Sequence, residues 1–240
     1  IKVNASLSQE EVAYTMNKYD LVVLPVVNDK EQLLGRITAD DVMDVMKEEA
    51  DKDYQMASGI SEDVESSDSV WEITRARLPW LLIGMVGGLF GAKVIGIFDI
   101  EKNYEMAFFI PLIAAMGGNV GVQSAAIVVQ SLASGTTSLG NISQRLVKEF
   151  GVALVNGIIC STIILCSSYL LGYGIDLSLT VSIALLSVII FAALFGTFVP
   201  LTLNKYKIDP ALATGPFITT VNDILGLFIY FLIGQLIISI

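Results

Sequence analysis

Asp223 is a lone acid in the apolar run 211–240. Burying a carboxylate at membrane depth costs at least about 2.5–3.5 kcal/mol, so such a residue usually faces a cavity and has a function. Gly215-Pro216-Phe217-Ile218-Thr219-Thr220-Val221-Asn222 leads directly into it. Proline withholds an N–H from the helix ladder and crowds the preceding turn, which frees a carbonyl near Leu212. Thr219 lies four residues before Asp223 and shares its helical face. Acid, hydroxyl and freed carbonyl together suit an oxygen-lined cation site. A structural carboxylate would want a base beside it, but no Lys or Arg falls at comparable depth in any apolar segment.

A second constellation runs from Pro111 through Met116-Gly117-Gly118-Asn119-Val120-Gly121-Val122-Gln123-Ser124. Gly117, Gly118 and Gly121 carry no side chains, so another backbone can approach closely. Asn119 and Gln123 are four apart and share a face. Alone, this segment also fits tight helix packing glued by an interhelical amide bond. Asn119 and Asp223 each fall about fourteen residues into their apolar segments, which puts both near mid-bilayer. Two interrupted helices meeting there with oxygen-bearing side chains read as an ion site.

The elements that must carry these residues follow from composition. The 240 residues are 54% hydrophobic with mean hydropathy +0.69, too apolar for an ordinary soluble protein. Residues 1–77 hold 17 of the 24 acids and 8 of the 14 bases, so an acidic soluble head precedes a membrane body. The chain opens at Ile1 in globular-looking sequence without a signal-peptide pattern, and reads as a piece of a longer protein. Cys160 and Cys166 share one apolar segment and read as small packing residues. With no His, zinc, copper and nickel sites are disfavoured. Carboxylate, amide, hydroxyl and carbonyl oxygens remain, and these suit Mg²⁺, Ca²⁺ and Mn²⁺.

In the head, Ser8-Gln9-Glu10-Glu11 is a capping-box start to a helix ending about Tyr19. Leu21–Val27 reads as a buried strand, with Pro25 near an edge or bulge. A turn at Asn28-Asp29-Lys30 leads to a second strand, Leu33–Ile37. Thr38-Ala39-Asp40-Asp41 then opens a helix running to about Met56. Along that helix Asp40, Asp44, Glu48 and Asp51 form a stripe, with Asp41, Glu49 and Asp53 beside it. Like charges so close favour either solvent screening or a bound cation. Residues 57–68 form a polar linker, and Ser69-Val70-Trp71-Glu72 is a second capping box. Five apolar segments follow, at roughly 78–98, 105–133, 146–172, 177–202 and 210–239, each long enough to span a bilayer. Arg75, Arg77, Arg145, Lys148, Lys205 and Lys207 collect on one side, against Lys102 and a snorkelling Lys93 on the other. The positive-inside rule then makes the head cytoplasmic and the C-terminus external.

Leu24-Pro25-Val26-Val27, Leu34-Gly35-Arg36-Ile37-Thr38 and Asp40-Asp41-Val42 resemble a CBS domain, the second repeat of the usual pair. The stretches Pro111 to Ser134 and Asp209-Pro210-Ala211 through Asp223 to Tyr230 resemble the two most characteristic membrane segments of the MgtE family of Mg²⁺ channels. Head and five-span body match as well, so the resemblance covers essentially the whole chain. It implies a homodimer with a pore on its two-fold axis, lined by the second and fifth helices, with Asp223 facing its own copy. Asn119 and Thr219 fall at matching pore positions, and Gly117, Gly118, Gly121, Gln123, Pro216, Thr220 and Asn222 are expected to line the pore. The resemblance further implies regulatory Mg²⁺ on Asp40, Asp41, Asp44, Glu48, Glu49, Asp51 and Asp53, with Ser69–Arg77 as a plug helix coupling head to pore. Gln130 departs from the family's common Arg, and Lys52 from an acid in its acidic tail.

The expected fold is therefore an α-helical membrane protein. It comprises a CBS repeat over 1–58, a linker and plug helix over 59–77, and a five-helix pore domain over 78–240. The expected function is a Mg²⁺-selective channel of the cell membrane, driven by the membrane potential and closed by cytosolic Mg²⁺. A broader Mn²⁺ or Ca²⁺ transporter and a non-conducting CBS sensor remain alternatives. Without a nucleophile–base set, phosphate loop or His, no enzyme is expected. Membrane lipid and a second copy are the expected partners, with adenine nucleotide at a complete CBS pair and no nucleic acid.

Overall fold

The computed structural model describes residues 1–98, 100–133, 142–213 and 215–238, without the side chains of Glu10, Ile100, Glu101, Lys102 and Ala213. Ser134 and the Lys102 side chain, both named above, lie outside that description. Two compact units divide between Gln55 and Met56.

The first unit is built on β1 (Val3–Asn4), α1 (Gln9–Lys18), β2 (Val23–Val27) and β3 (Leu33–Thr38), in sheet order β1-β2-β3. The Ser8 hydroxyl caps α1 by accepting from the Glu11 N–H. Val12, Ala13 and Met16 recur at helical spacing, so one face of α1 buries against Val3, Leu24 and Val42. Of the edge or bulge expected near Pro25, the structure has the bulge, because β2 is the central strand and its register shifts at Val26/Val27. The sheet tolerates the missing N–H because β1 pairs only with Val26 and Val27, and the β2–β3 register shifts beside them at Val26/Val27. At the start of helix α2 (Ala39–Ala57) the Thr38 N–H and hydroxyl both donate to Asp41 Oδ2, at 2.9 and 2.6 Å.

The second unit contains α3 (Val70–Ile95), a 3-10 segment (Ile100–Phe109), α4 (Ile110–Ala133), α5 (Ile142–Leu170), α6 (Ile175–Lys205), a short 3-10 turn (Pro210–Ala213) and α7 (Pro216–Ile238). Among the described residues, five helices are long and apolar enough to cross a membrane. Their burial differs sharply: 61% of the most apolar stretch of α6 is buried, against 11% for α3. Helix α6 is thus the core against which α4, α5 and α7 pack, while α3 packs against α7. Its Val181, Ala184, Leu185, Val188, Ile189, Ala192 and Ala193 follow the spacing of a buried stripe. Leu81, Met85 and Leu89 on α3, and Val155, Ile159 and Ile163 on α5, remain exposed at four-residue spacing, as a bilayer-facing surface requires. The buried Tyr230 hydroxyl donates to the Met106 carbonyl at 3.0 Å and ties α7 to the 3-10 segment.

The Ser69/Glu72 capping box opens α3, which continues through Pro79 to Ile95, so residues 69–77, the segment resembling a plug helix, lead directly into the first span. Two expectations change. Pro111 does not interrupt α4: it lies in the first turn of that helix, where the 3-10 segment gives way to α-helix within the span Asn103–Ala133. The last helix starts at Pro216, so Asp223 lies about 10 Å from its N-terminal end, at 1.5 Å per residue, nearer the end than first read.

Candidate cation site

Gly215, with φ of 61°, turns the chain into α7 ahead of Pro216. Pro suits the first helical position because its φ is already helical and its absent N–H would be unpaired there. The Thr219 N–H and hydroxyl both donate to the Gly215 carbonyl at 3.0 Å, closing the first turn. That turn sets the phase of the helix. Pro216, Thr219, Thr220, Asp223 and Leu227 then fall on one stripe, and all five line a cavity of about 1050 Å³.

A second cavity, about 310 Å³, lies against α4 and is lined by Gly118, Asn119, Gln123, Thr219 and Asp223, among others. Asp223 and Thr219 therefore border both spaces. A Cβ on Gly118 would stand 3.1 Å from Thr219 Cγ2 and 3.6 Å from Asp223 Oδ1. The absent side chain lets the two helices close and brings the carboxylate over α4. Asp223 is half-buried, while Asn119 and Gln123 are exposed on the open face of α4. The resulting set is one carboxylate, two amides and a hydroxyl, oxygen donors suited to a hydrated hard cation.

Gly117, Gly121 and Asn222 do not join them. Asn222 is only 1% exposed and packs against Gly121, where any Cβ would collide with its amide. Among the described residues neither its Oδ1 nor its Nδ2 has a hydrogen-bond partner. Gly117 adjoins Val188 and Asn222, and Gly121 adjoins Ile218 and Gly196. These three residues face the bundle interior, so the expectation that they line a pore is revised. Gly118, Gln123, Pro216 and Thr220 do border the cavities.

In the head, Asp40, Asp41, Asp44, Glu48, Glu49, Asp51 and Asp53 all lie on α2. Asp41 is engaged by Thr38, and these two hydrogen bonds hold its carboxyl below the usual range. Glu49 pairs with Lys52 at 3.5 Å. Among the described residues, no three His, Cys, Asp or Glu gather into a metal-holding group. One head alone therefore does not fit a metal cage.

Glu149, on α5, was missed by the sequence reading. Its Oε1 accepts from the Ser124 hydroxyl at 2.6 Å, and one turn earlier Arg145 Nη2 donates to Ser131 Oγ at 2.8 Å. The available signal was two helical spacings, each keeping its pair on one face: Arg145 and Glu149 four apart, Ser124 and Ser131 seven apart.

A family model for MgtE, described as a divalent cation transporter, matches residues 110–233, a span that contains every residue bordering the smaller cavity. The chain belongs to the MgtE family. A CBS-domain model matches residues 1–48 of this MgtE chain. Among curated relatives, the magnesium transporter MgtE of Bacillus subtilis (strain 168) is 35% identical over 233 residues, covering 96% of this chain and 52% of its own length. The protein of the same name from Thermus thermophilus is 33% identical over 243 residues, covering 100% and 54%. That from Enterococcus faecalis is 34% identical over 239 residues, covering 98% and 52%. The chain spans about half the length of the curated relatives it matches.

Proposed function

We propose that this MgtE chain supplies the pore of a Mg²⁺ channel in the cell membrane, assembled as a homodimer. One observation carries the reading: a half-buried acid, Asp223, borders two cavities at once beside Asn119 and Thr219. The relatives' names, magnesium transporter, support Mg²⁺ as the cargo. Mg²⁺ sheds water reluctantly and keeps several waters while touching one or two carboxylates. Two copies of Asp223 across a two-fold axis offer such a hydrated ion matching charge, with Asn119, Gln123 and Thr219 as acceptors or donors to its waters. An inside-negative potential favours entry of a divalent ion by about 4.6 kcal/mol per 100 mV, twice the single-charge value. With the head cytoplasmic and the C-terminus external, influx needs no ATP.

Closure by cytosolic Mg²⁺ completes the proposal. The acids of one α2 make no cage alone, so regulatory ions are shared with a second copy. A broader divalent selectivity is the second reading, favoured by the family's description as a divalent cation transporter. Mg²⁺ uptake into proteoliposomes, with Ca²⁺ and Mn²⁺ as competitors and Asp223→Ala as control, tests both. Uptake lost in the variant is expected; unchanged uptake removes Asp223 from the pathway, and equal competition by Ca²⁺ or Mn²⁺ favours the second reading.

A further inference from the structure

We propose that Glu149 is a positioning residue for the cation pathway: through Ser124 it sets the rotation of α4 that turns Asn119 and Gln123 towards Asp223. The inference rests on the reading of Asp223 and α4 as the pathway. Ser124 is 4% exposed and directly follows Gln123 in the sequence. Consecutive helical residues point about 100° apart, so whatever fixes Ser124 fixes Gln123. Asn119 lies four residues before Gln123 and is carried on the same face.

Packing against α6 and α7 holds α4 on one side. Ser124 and Ser131 are seven residues apart and share the face of α4 turned to α5, where Glu149 and Arg145 meet them. These two rungs restrain the rotation of α4 on that further side. Their directions are also fixed, since an ionised carboxylate only accepts and a guanidinium only donates. The Ser124–Glu149 contact, at 2.6 Å, has the short length of a charge-assisted hydrogen bond, roughly twice as strong as a neutral one. Neither Glu149 nor Ser124 borders either cavity, so their influence on the ion must pass through the helix.

A double-mutant cycle on the intact protein tests this, with Mg²⁺ uptake into proteoliposomes read as the half-saturating Mg²⁺ concentration. Glu149→Ala and Ser124→Ala are each expected to raise that concentration about tenfold, the scale of one lost charge-assisted bond. The double variant should exceed neither, because both act through one contact. Glu149→Gln keeps an acceptor oxygen and should recover part of the loss. An unchanged half-saturation in Glu149→Ala, or single effects that multiply in the double variant, would overturn the inference.

A second readout does not depend on uptake. With Cys160 and Cys166 replaced by Ser, a cysteine introduced by Gln123→Cys is labelled from the aqueous phase by a charged thiol reagent. Adding Glu149→Ala should slow that labelling about tenfold as the position turns away. If Glu149→Ala does not fold, Glu149→Gln must shift labelling in the same direction. An unchanged rate in the folded variant would overturn the positioning role. Labelling that shifts while the wild-type protein takes up no Mg²⁺ defeats the transport reading instead, and with it the pathway that Glu149 was to position.

Discussion

Helix α2 holds seven acids over Ala39–Ala57, and α7 holds one over Pro216–Ile238. In α2 most of the carboxylates are exposed, one serves a helix cap, one pairs with Lys52, and no three converge. In α7 the single acid borders two cavities, with Gly118, Asn119 and Thr219 beside it. Screening by water and salt weakens each exposed charge within a Debye length of about 10 Å at 0.1 M ionic strength. A carboxylate between membrane helices is screened far less, so position outweighs number. Acids spread along a largely solvated helix face act weakly on one another, whereas one confined acid makes the candidate site.

The strongest test of that contrast sets one charge against three. Asp223→Asn keeps size and shape and removes the charge. It is expected to lower Mg²⁺ uptake about a hundredfold, the rate equivalent of about 3 kcal/mol. Neutralising Asp40, Asp44 and Glu48 together should leave maximal uptake intact and raise several-fold the internal Mg²⁺ needed for closure. Should the triple variant lose maximal uptake while Asp223→Asn keeps it, the assignment of site and sensor is reversed.

A pair of glycines sharpens the same comparison through packing. A Cβ on Gly121 falls on the Asn222 amide and lies 2.8 Å from Ile218 Cγ2, whereas one on Gly35 in β3 meets nothing within 4 Å. Gly121→Ala should destabilise the membrane domain by about 1–3 kcal/mol, the range for overpacking. Gly35→Ala should change stability by less than about 0.5 kcal/mol. Thermal unfolding of the two variants in detergent checks this. A harmless Gly121→Ala would mean that α4, α6 and α7 are not held in close contact there.

The five spans were legible because apolar runs of that length have few other solutions, and the caps at Ser8 and Ser69 because their donors and acceptors sit three residues apart. Asp223 was legible by its isolation. What the sequence hid was which face each residue takes. Asn222 adjoins Asp223 and has similar chemistry, yet one residue of helical rotation buries it against Gly121. Glu149 was hidden for the opposite reason: beside Lys148 and one turn after Arg145, it resembles ordinary interfacial charge. Only the contact with Ser124 across two helices distinguishes it. Pro111 misled because proline breaks a helix interior but fits a first turn, and the boundary at Ile110 was not readable.

The smallest effect concerns Asp41, where the two roles of an acid in α2 can be separated. Hydrogen bonds from the Thr38 hydroxyl and then its N–H lower the carboxyl's pKa. A group with a depressed folded value stabilises the fold above its unfolded pKa of about 3.9, and that contribution is lost as pH falls through the folded value. Thr38→Val deletes the hydroxyl bond, the one with the larger effect, so Asp41 should titrate closer to its ordinary value and the cap should fail at higher pH. Carbon-13 titration of the Asp41 carboxyl, with helicity followed over pH 2 to 5, about the range spanning that group's titration, measures both. Millimolar Mg²⁺ discriminates further. A cap alone predicts the same titration with and without the ion, while a carboxylate that also holds Mg²⁺ must titrate lower in its presence. An Asp41 indifferent to Mg²⁺ would leave the proposed sensor role to the other six acids of α2 and mark this one as purely architectural.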